Sequence, residues 1–209
     1  MSELTEEILA SRIVPVVVVR DADRAAGLAQ ALVAGKLPVA EVTLRTPAAP
    51  EAIETMAKQK GLLVGAGTVL TPDQVDLAVD AGARFLVSPG YSAATVARAS
   101  ERGVPIVPGT VTPSEVMAAL AAGLTTLKFF PASNYGGAGT LKAFASVFGQ
   151  ARFVPTGGVS ASNLGDYLSL PNVPAVGGSW MVPADVVDAG DFATIEQLCA
   201  EAVAAAAAL

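Results

Sequence analysis

Three features of the sequence predict an α/β fold, a (β/α)8 TIM barrel filling residues 1–209 as a single domain with a short N-terminal helix. Short β-branched runs alternate with alanine-rich helical stretches from end to end. Eight such units in 209 residues match the lower size limit of that barrel. The rival, a doubly wound open sheet, usually carries a Gly-x-Gly-x-x-Gly turn after its first strand. Here the first run leads instead into Val19-Arg20-Asp21-Ala22-Asp23.

In chain order the expected strands are Ile13–Val19, Pro38–Leu44, Leu62–Gly67, Arg84–Val87, Val104–Pro108, Thr125–Phe130, Arg152–Thr156 and Pro174–Gly178. Helices are expected between them. Thr71-Pro72-Asp73 and Thr112-Pro113-Ser114-Glu115 read as N-caps followed by proline at the first helical position. Gly35, Gly82, Gly103 and Gly123 follow helical stretches, where a left-handed C-cap favours glycine. Ala-Gly pairs at 34–35, 81–82 and 122–123 form a weak internal repeat, and the alanine run Ala204–Ala208 reads as a plain helix end.

Composition removes several classes of function. Hydrophobic residues make up 52% of the chain and charged residues 15%, which excludes a disordered chain. A net charge of −6 argues against nucleic acid and against an anionic membrane surface. Any anionic substrate must therefore be drawn by a local pocket. The acidic N-terminus, Ser2-Glu3-Leu4-Thr5-Glu6-Glu7, lacks the basic region of a signal peptide, so a soluble cytoplasmic protein is expected. Cys199 is the sole cysteine and there is no histidine. An intramolecular disulfide, Ser-His triads and His-ligated zinc are thereby excluded, and neither metal nor cofactor is expected.

The informative residues are polar ones in apolar strands. Four of the five lysines lie on helices or in turns; Lys128 lies in Thr126-Leu127-Lys128-Phe129-Phe130, near the C-terminal end of the sixth strand. Alternation puts Lys128 and Phe130 on one face and Leu127 and Phe129 on the other. An amine held away from water loses its proton more readily and becomes a nucleophile. A lysine snorkelling to the barrel mouth explains the same position, and this segment alone leaves both readings open.

The second strand carries Glu41, Thr43 and Arg45, spaced by two and so on one face. Glu41 is the only acidic residue in an expected strand. An internal Glu41–Arg45 ion pair is the bland reading. Three inward polar side chains beside an inward lysine favour function: a carboxylate carries protons, and a guanidinium grips another carboxylate. The later strand ends, Thr156-Gly157-Gly158 and Gly177-Gly178-Ser179, follow the last two strands. In TIM barrels the loops there commonly bind phosphate.

Assembled in order, these residues resemble the bacterial 2-keto-3-deoxy-6-phosphogluconate and 4-hydroxy-2-oxoglutarate aldolase family. The likeness runs through Val14-Pro15-Val16, Glu41-Val42-Thr43-Leu44-Arg45-Thr46, Gly65-Ala66-Gly67-Thr68-Val69-Leu70 and Ser88-Pro89-Gly90. It continues in Pro108-Gly109, Lys128-Phe129-Phe130-Pro131, Pro155-Thr156-Gly157-Gly158 and Gly177-Gly178-Ser179-Trp180. The resemblance implies a class I aldolase with Lys128 as the Schiff-base lysine and Glu41 as the general acid/base. It places Arg45 and Thr68 on the substrate carboxylate, with Pro89 and Phe130 walling the pyruvate pocket. Gly157, Gly158, Gly178 and Ser179 fall to the phosphate, and Thr156 to C4 stereochemistry. It further implies a phosphorylated 2-keto acid substrate and a homotrimer. Two positions depart from the pattern: Ser133, where many relatives have glutamate, and Gly35-Lys36, where a Gly-Gly turn is frequent.

Three rivals stand beside this reading. A metal-dependent aldolase needs a ligand cluster, for which only Glu41 qualifies. A phosphosugar isomerase would have little use for Lys128. A non-catalytic barrel serving as a binding or assembly module is not addressed by motifs. Within the aldolase reading, preference for the 6-phosphogalactonate epimer is the alternative.

Overall fold

Every expected β-branched run supplies a strand shorter than itself, and one further two-residue strand lies outside the expected runs. The computed structural model describes residues 3–209. Its strands are β1 (Ile13–Val17), β2 (Val39–Thr43), β3 (Leu63–Gly67), β4 (Leu86–Val87), β5 (Ile106–Val107), β6 (Gly109–Thr110), β7 (Thr126–Phe129), β8 (Arg152–Pro155) and β9 (Val176–Gly178). The runs overshoot because burial selects apolar residues beyond the last ladder pair. Val19, for instance, is fully buried although β1 has ended. β6 lies beyond the fifth run, which ends at Pro108; that proline has no N–H for a ladder and separates β5 from β6.

All strand pairs are parallel. They form a curled sheet in two segments, β5-β4-β3-β2-β1-β9 and β6-β7-β8. The parallel α/β architecture expected from the sequence is present as a curled sheet; in place of one continuous eight-stranded ring there are two ladders, with an isolated bridge between Thr156 and Gly177. The helices are α1 (Glu3–Ala10), α2 (Ala25–Ala34), α3 (Ala49–Ala57), α4 (Pro72–Asp80), α5 (Ala93–Glu101), α6 (Pro113–Ala121), α7 (Gly137–Val147), α8 (Leu164–Leu168), α9 (Ala184–Ala189) and α10 (Phe192–Ala207). The expected caps form: the Thr71 hydroxyl accepts from Gln74 N–H, and Thr112 with Glu115 makes a reciprocal capping box.

Side-chain alternation sorts the two faces of the sheet. Phe129 of β7 packs edge-on against Phe144 of α7 and Phe153 of β8, with ring centroids 6.2 and 6.5 Å apart, so its face looks to the helices. Lys128 consequently faces the concave interior. Helix α1 lies under that interior, where Thr5, Ile8 and Leu9 help line a small apolar void reaching Glu41 and Lys128. Burial also settles the one cysteine: it pushes the Cys199 thiol up to about 12, leaving it a packing residue rather than a nucleophile.

One expected cap is corrected. Gly82, Gly103 and Gly123 adopt positive φ after their helices, but Gly35 does not. The left-handed residue there is Lys36, at φ 60°. Gly35 is needed for another reason: a Cβ on it would lie 2.6 Å from the Cys199 Cβ, so glycine lets α2 and α10 approach. Two opposite outcomes follow. Lys36→Gly should stabilise the fold by about 1 kcal/mol, since a left-handed residue with a Cβ is strained by roughly that amount. In a chain of this size that is a rise in Tm of roughly 2–4 °C. Gly35→Ala should lower Tm. Thermal denaturation of both variants checks the pair, and a lower Tm for Lys36→Gly would refute the strain assignment.

Candidate active site

β2 and β7 are not ladder neighbours, yet their inward side chains meet across the curled sheet. Lys128 Nζ donates to Glu41 Oε1 at 3.0 Å, and the two side chains are only 8% and 3% exposed. The sequence-level Glu41–Arg45 pair does not form; among the described residues Glu41 is bridged to Lys128 alone. Neighbouring strands make room for this contact. A Cβ on Gly67 would sit 2.3 Å from Glu41 Oε1, so glycine at the end of β3 is what admits the carboxylate. Gly109 is the register partner of Lys128 on β6. The Lys128 ammonium also lies 5.2 Å from the centre of the Phe130 ring, where the aromatic face attracts a cation.

Arg45 is held by its own strand. Its Nε donates to Thr43 Oγ1 at 3.1 Å, and the Thr43 hydroxyl donates to Val17 O at 2.9 Å. The threonine thus fixes the guanidinium while its outer N–H groups stay available to a carboxylate. Across the site Thr68 adopts φ 60°, a left-handed conformation unusual for a β-branched residue. Such an outlier is kept only where surrounding structure imposes it, and it turns Thr68 into the cavity beside Arg45.

These residues line one cavity of about 320 Å³. Every residue singled out from the sequence reaches it: Lys128, Glu41, Arg45, Thr68, Pro89, Phe130, Thr156, Gly157, Gly158, Gly178 and Ser179. Three further lining residues are Val16, Thr43 and Val159. Thr43 was legible from its spacing of two between Glu41 and Arg45. Val16 and Val159 are apolar residues, and nothing in their side-chain chemistry singles them out in the sequence.

Part of the cavity wall is backbone. Gly157 and Gly158 both have positive φ, at 90° and 81°. A Cβ on Gly158 would collide with Ser133 Oγ at 2.3 Å, which leaves no room there for a side chain. Gly178 is similarly closed by the ring of Trp180. The result is a stretch of cavity wall made of peptide groups. Ser133 is therefore a packing neighbour of that wall, and nothing in the structure explains why serine rather than glutamate stands there.

Chemically, the cavity offers a primary amine with a carboxylate in proton-transfer reach, a guanidinium, and a backbone wall suited to an anion. No group of three or more His, Cys, Asp or Glu residues that could hold a metal ion occurs among the described residues. No helix among them is long and apolar enough to cross a membrane.

Known proteins resemble this chain in sequence and fold. The family model "KDPG and KHG aldolase" matches residues 4–198. The KHG/KDPG aldolase of Escherichia coli K12 is 48% identical over 192 residues, covering 91% of this chain and 90% of that protein. The crystal structure of KDPG aldolase from Legionella pneumophila, with pyruvate captured as a covalent carbinolamine, superposes with a TM-score of 0.92 at 42% identity, covering 96% of this chain and 98% of that one. The 2-keto-3-deoxy-6-phosphogluconate aldolase of Zymomonas mobilis ZM4, with 3-phosphoglycerate, gives 0.89 at 45% identity over 95% and 96% of the two chains. With a matching family model over most of its length and relatives above two-fifths identity, the chain belongs to the KDPG and KHG aldolase family.

Proposed function

We propose that this chain is a class I aldolase that cleaves 2-keto-3-deoxy-6-phosphogluconate to pyruvate and glyceraldehyde 3-phosphate through an imine on Lys128. It also cleaves 4-hydroxy-2-oxoglutarate to pyruvate and glyoxylate. The observation that carries the reading is the buried Lys128 amine 3.0 Å from the Glu41 carboxylate in the wall of the cavity. The covalent pyruvate carbinolamine of the Legionella pneumophila relative supports it.

In this mechanism Lys128 passes a proton to Glu41 and adds to the C2 ketone. Loss of water from the carbinolamine gives a protonated imine. Glu41, directly or through a water, removes the C4 hydroxyl proton; the C3–C4 bond breaks and its electrons pass to the imine nitrogen. The aldehyde leaves, the enamine is protonated at C3, and hydrolysis releases pyruvate and restores the amine. Arg45 and Thr68 hold the substrate carboxylate, and Pro89 and Phe130 wall the pyruvate end. Gly157, Gly158, Gly178 and Ser179 take the phosphate. Thr156, whose hydroxyl lies over Gly177, orients the C4 oxygen and favours the gluconate epimer. The chain closes as a one-domain (β/α)8 barrel, a reading supported by β5 and β6 flanking Pro108 and by the Thr156–Gly177 bridge. It acts in the cytoplasm as a homotrimer, and exposed Leu70, Leu77 and Met117 are apolar surface that such an assembly can cover.

The two central roles differ in kind, so their deletions should too. Lys128→Ala should abolish borohydride trapping of pyruvate, aldol cleavage and methyl-proton exchange together. Glu41→Gln should retain some trapping while cleavage and exchange fall roughly 10²–10⁴-fold, the usual contribution of a positioned acid/base. Exchange at the wild-type rate in Glu41→Gln would assign the base elsewhere, and a wild-type chain that neither traps nor cleaves would favour the non-catalytic barrel. Activity should survive exhaustive chelation; a loss restored by magnesium or zinc would overturn the imine mechanism. Analytical ultracentrifugation at micromolar concentration should give a trimer, and a monomer would contradict the assembly.

A further inference from the structure

The backbone wall of the cavity is held from behind, and one side chain outside the cavity does much of the holding. The Gly157 carbonyl accepts from Ser133 N–H at 3.1 Å. The Gly158 carbonyl accepts from the side-chain Nδ2 of Asn163 at 2.8 Å. In a planar trans peptide the N–H points opposite to its carbonyl. Anchoring these two carbonyls therefore turns the N–H groups of Gly158 and Val159 the other way, and both residues line the cavity. Neither N–H donates to any group among the described residues. Two adjacent donors facing a cavity without a protein partner form an anion-binding concavity.

Asn163 is itself fixed. Its Oδ1 accepts from Ser160 N–H at 2.8 Å, so its amide spans the loop from Gly158 to Ser160. The two contacts also settle which end of the amide is which, because a flipped amide would set its NH2 against an N–H and its oxygen against a carbonyl. The Ser133 contact is made by backbone and survives any substitution except proline. The Gly158–Val159 peptide is different: its orientation depends on the Asn163 side chain, and a glycine on its N-terminal side leaves it free to tilt.

We infer that Asn163 is a positioning residue for the phosphate of the substrate, acting by holding the Gly158–Val159 peptide so that the Val159 N–H joins the Gly158 N–H as a donor to the anion. This rests on the aldolase reading for the identity of the anion's carrier, and it adds a donor, Val159, and a residue that touches no substrate. A merely structural asparagine would, when removed, harm all substrates alike. A positioning asparagine should harm the phosphorylated one selectively.

The test is Asn163→Ala, assayed on 2-keto-3-deoxy-6-phosphogluconate beside unphosphorylated 4-hydroxy-2-oxoglutarate. The ratio of the two KM values should rise about three- to tenfold, the worth of one hydrogen bond of ordinary strength, with kcat on each substrate little changed. A ratio unchanged, or both KM values raised together, overturns the proposal. A second measurement does not depend on turnover. Titration of the wild-type chain with inorganic phosphate, followed by amide NMR, should move the Gly158 and Val159 N–H resonances. In Asn163→Ala the Val159 response should shrink while the rest of the spectrum reports a folded chain. If Val159 does not respond in the wild type, it is not a donor and the inference fails even if cleavage is observed. If the titration behaves as stated but no cleavage occurs, the aldolase reading fails and the anion cradle stands.

Discussion

The buried contact between Lys128 and Glu41 is the constraint around which the rest of the site is arranged. Two ionisable groups withdrawn from water are tolerated only as a pair, because each alone would carry the full cost of lost hydration. The pair joins strands that share no ladder and lie 87 residues apart in sequence. It requires a strand on each side to give way: Gly67 leaves space for the carboxylate, and Gly109 stands beside the lysine. Removing one partner leaves the other buried and unmatched, so stability and chemistry are tied to the same 3.0 Å contact.

From that contact the cavity divides by chemical type. Side chains supply the reactive end, with an amine, a carboxylate and a guanidinium fixed by Thr43. Backbone supplies another part of the wall, where glycines with positive φ remove side chains and expose N–H groups. The division suits a substrate that carries both a reacting carbonyl and a charged tail. It also explains how an acidic chain handles anions: a net charge of −6 is overridden locally by one guanidinium, one amine and oriented peptide dipoles.

Much of this was legible in the residues themselves. Alternation placed Lys128 with Phe130 and Glu41 with Thr43 and Arg45, and the cavity contains all five. Capping signals at Thr71 and Thr112 located two helix starts. The differences between sequence and structure are local and have local causes. Apolar runs extend past the strand ends because residues such as Val19 are selected by burial, whether or not they pair. Glycine after a helix usually serves as a left-handed cap, whereas close packing on Cys199 requires Gly35 and Lys36 takes the strained conformation.

The sequence alone determined the parallel α/β architecture, the face on which each polar strand residue points, and the set of groups available for chemistry in a chain without histidine. These depend on periodicity and composition, which are properties of neighbours along the chain. The tertiary structure alone decided that Glu41 pairs with Lys128 rather than Arg45, that Thr43 steadies Arg45, and that Val16 and Val159 reach the cavity. It also decided which way the peptides after Thr156 turn, since their carbonyls are held by Ser133 and Asn163. Those outcomes depend on distances between segments brought together by the curl of the sheet, and no spacing along the chain encodes a distance across it.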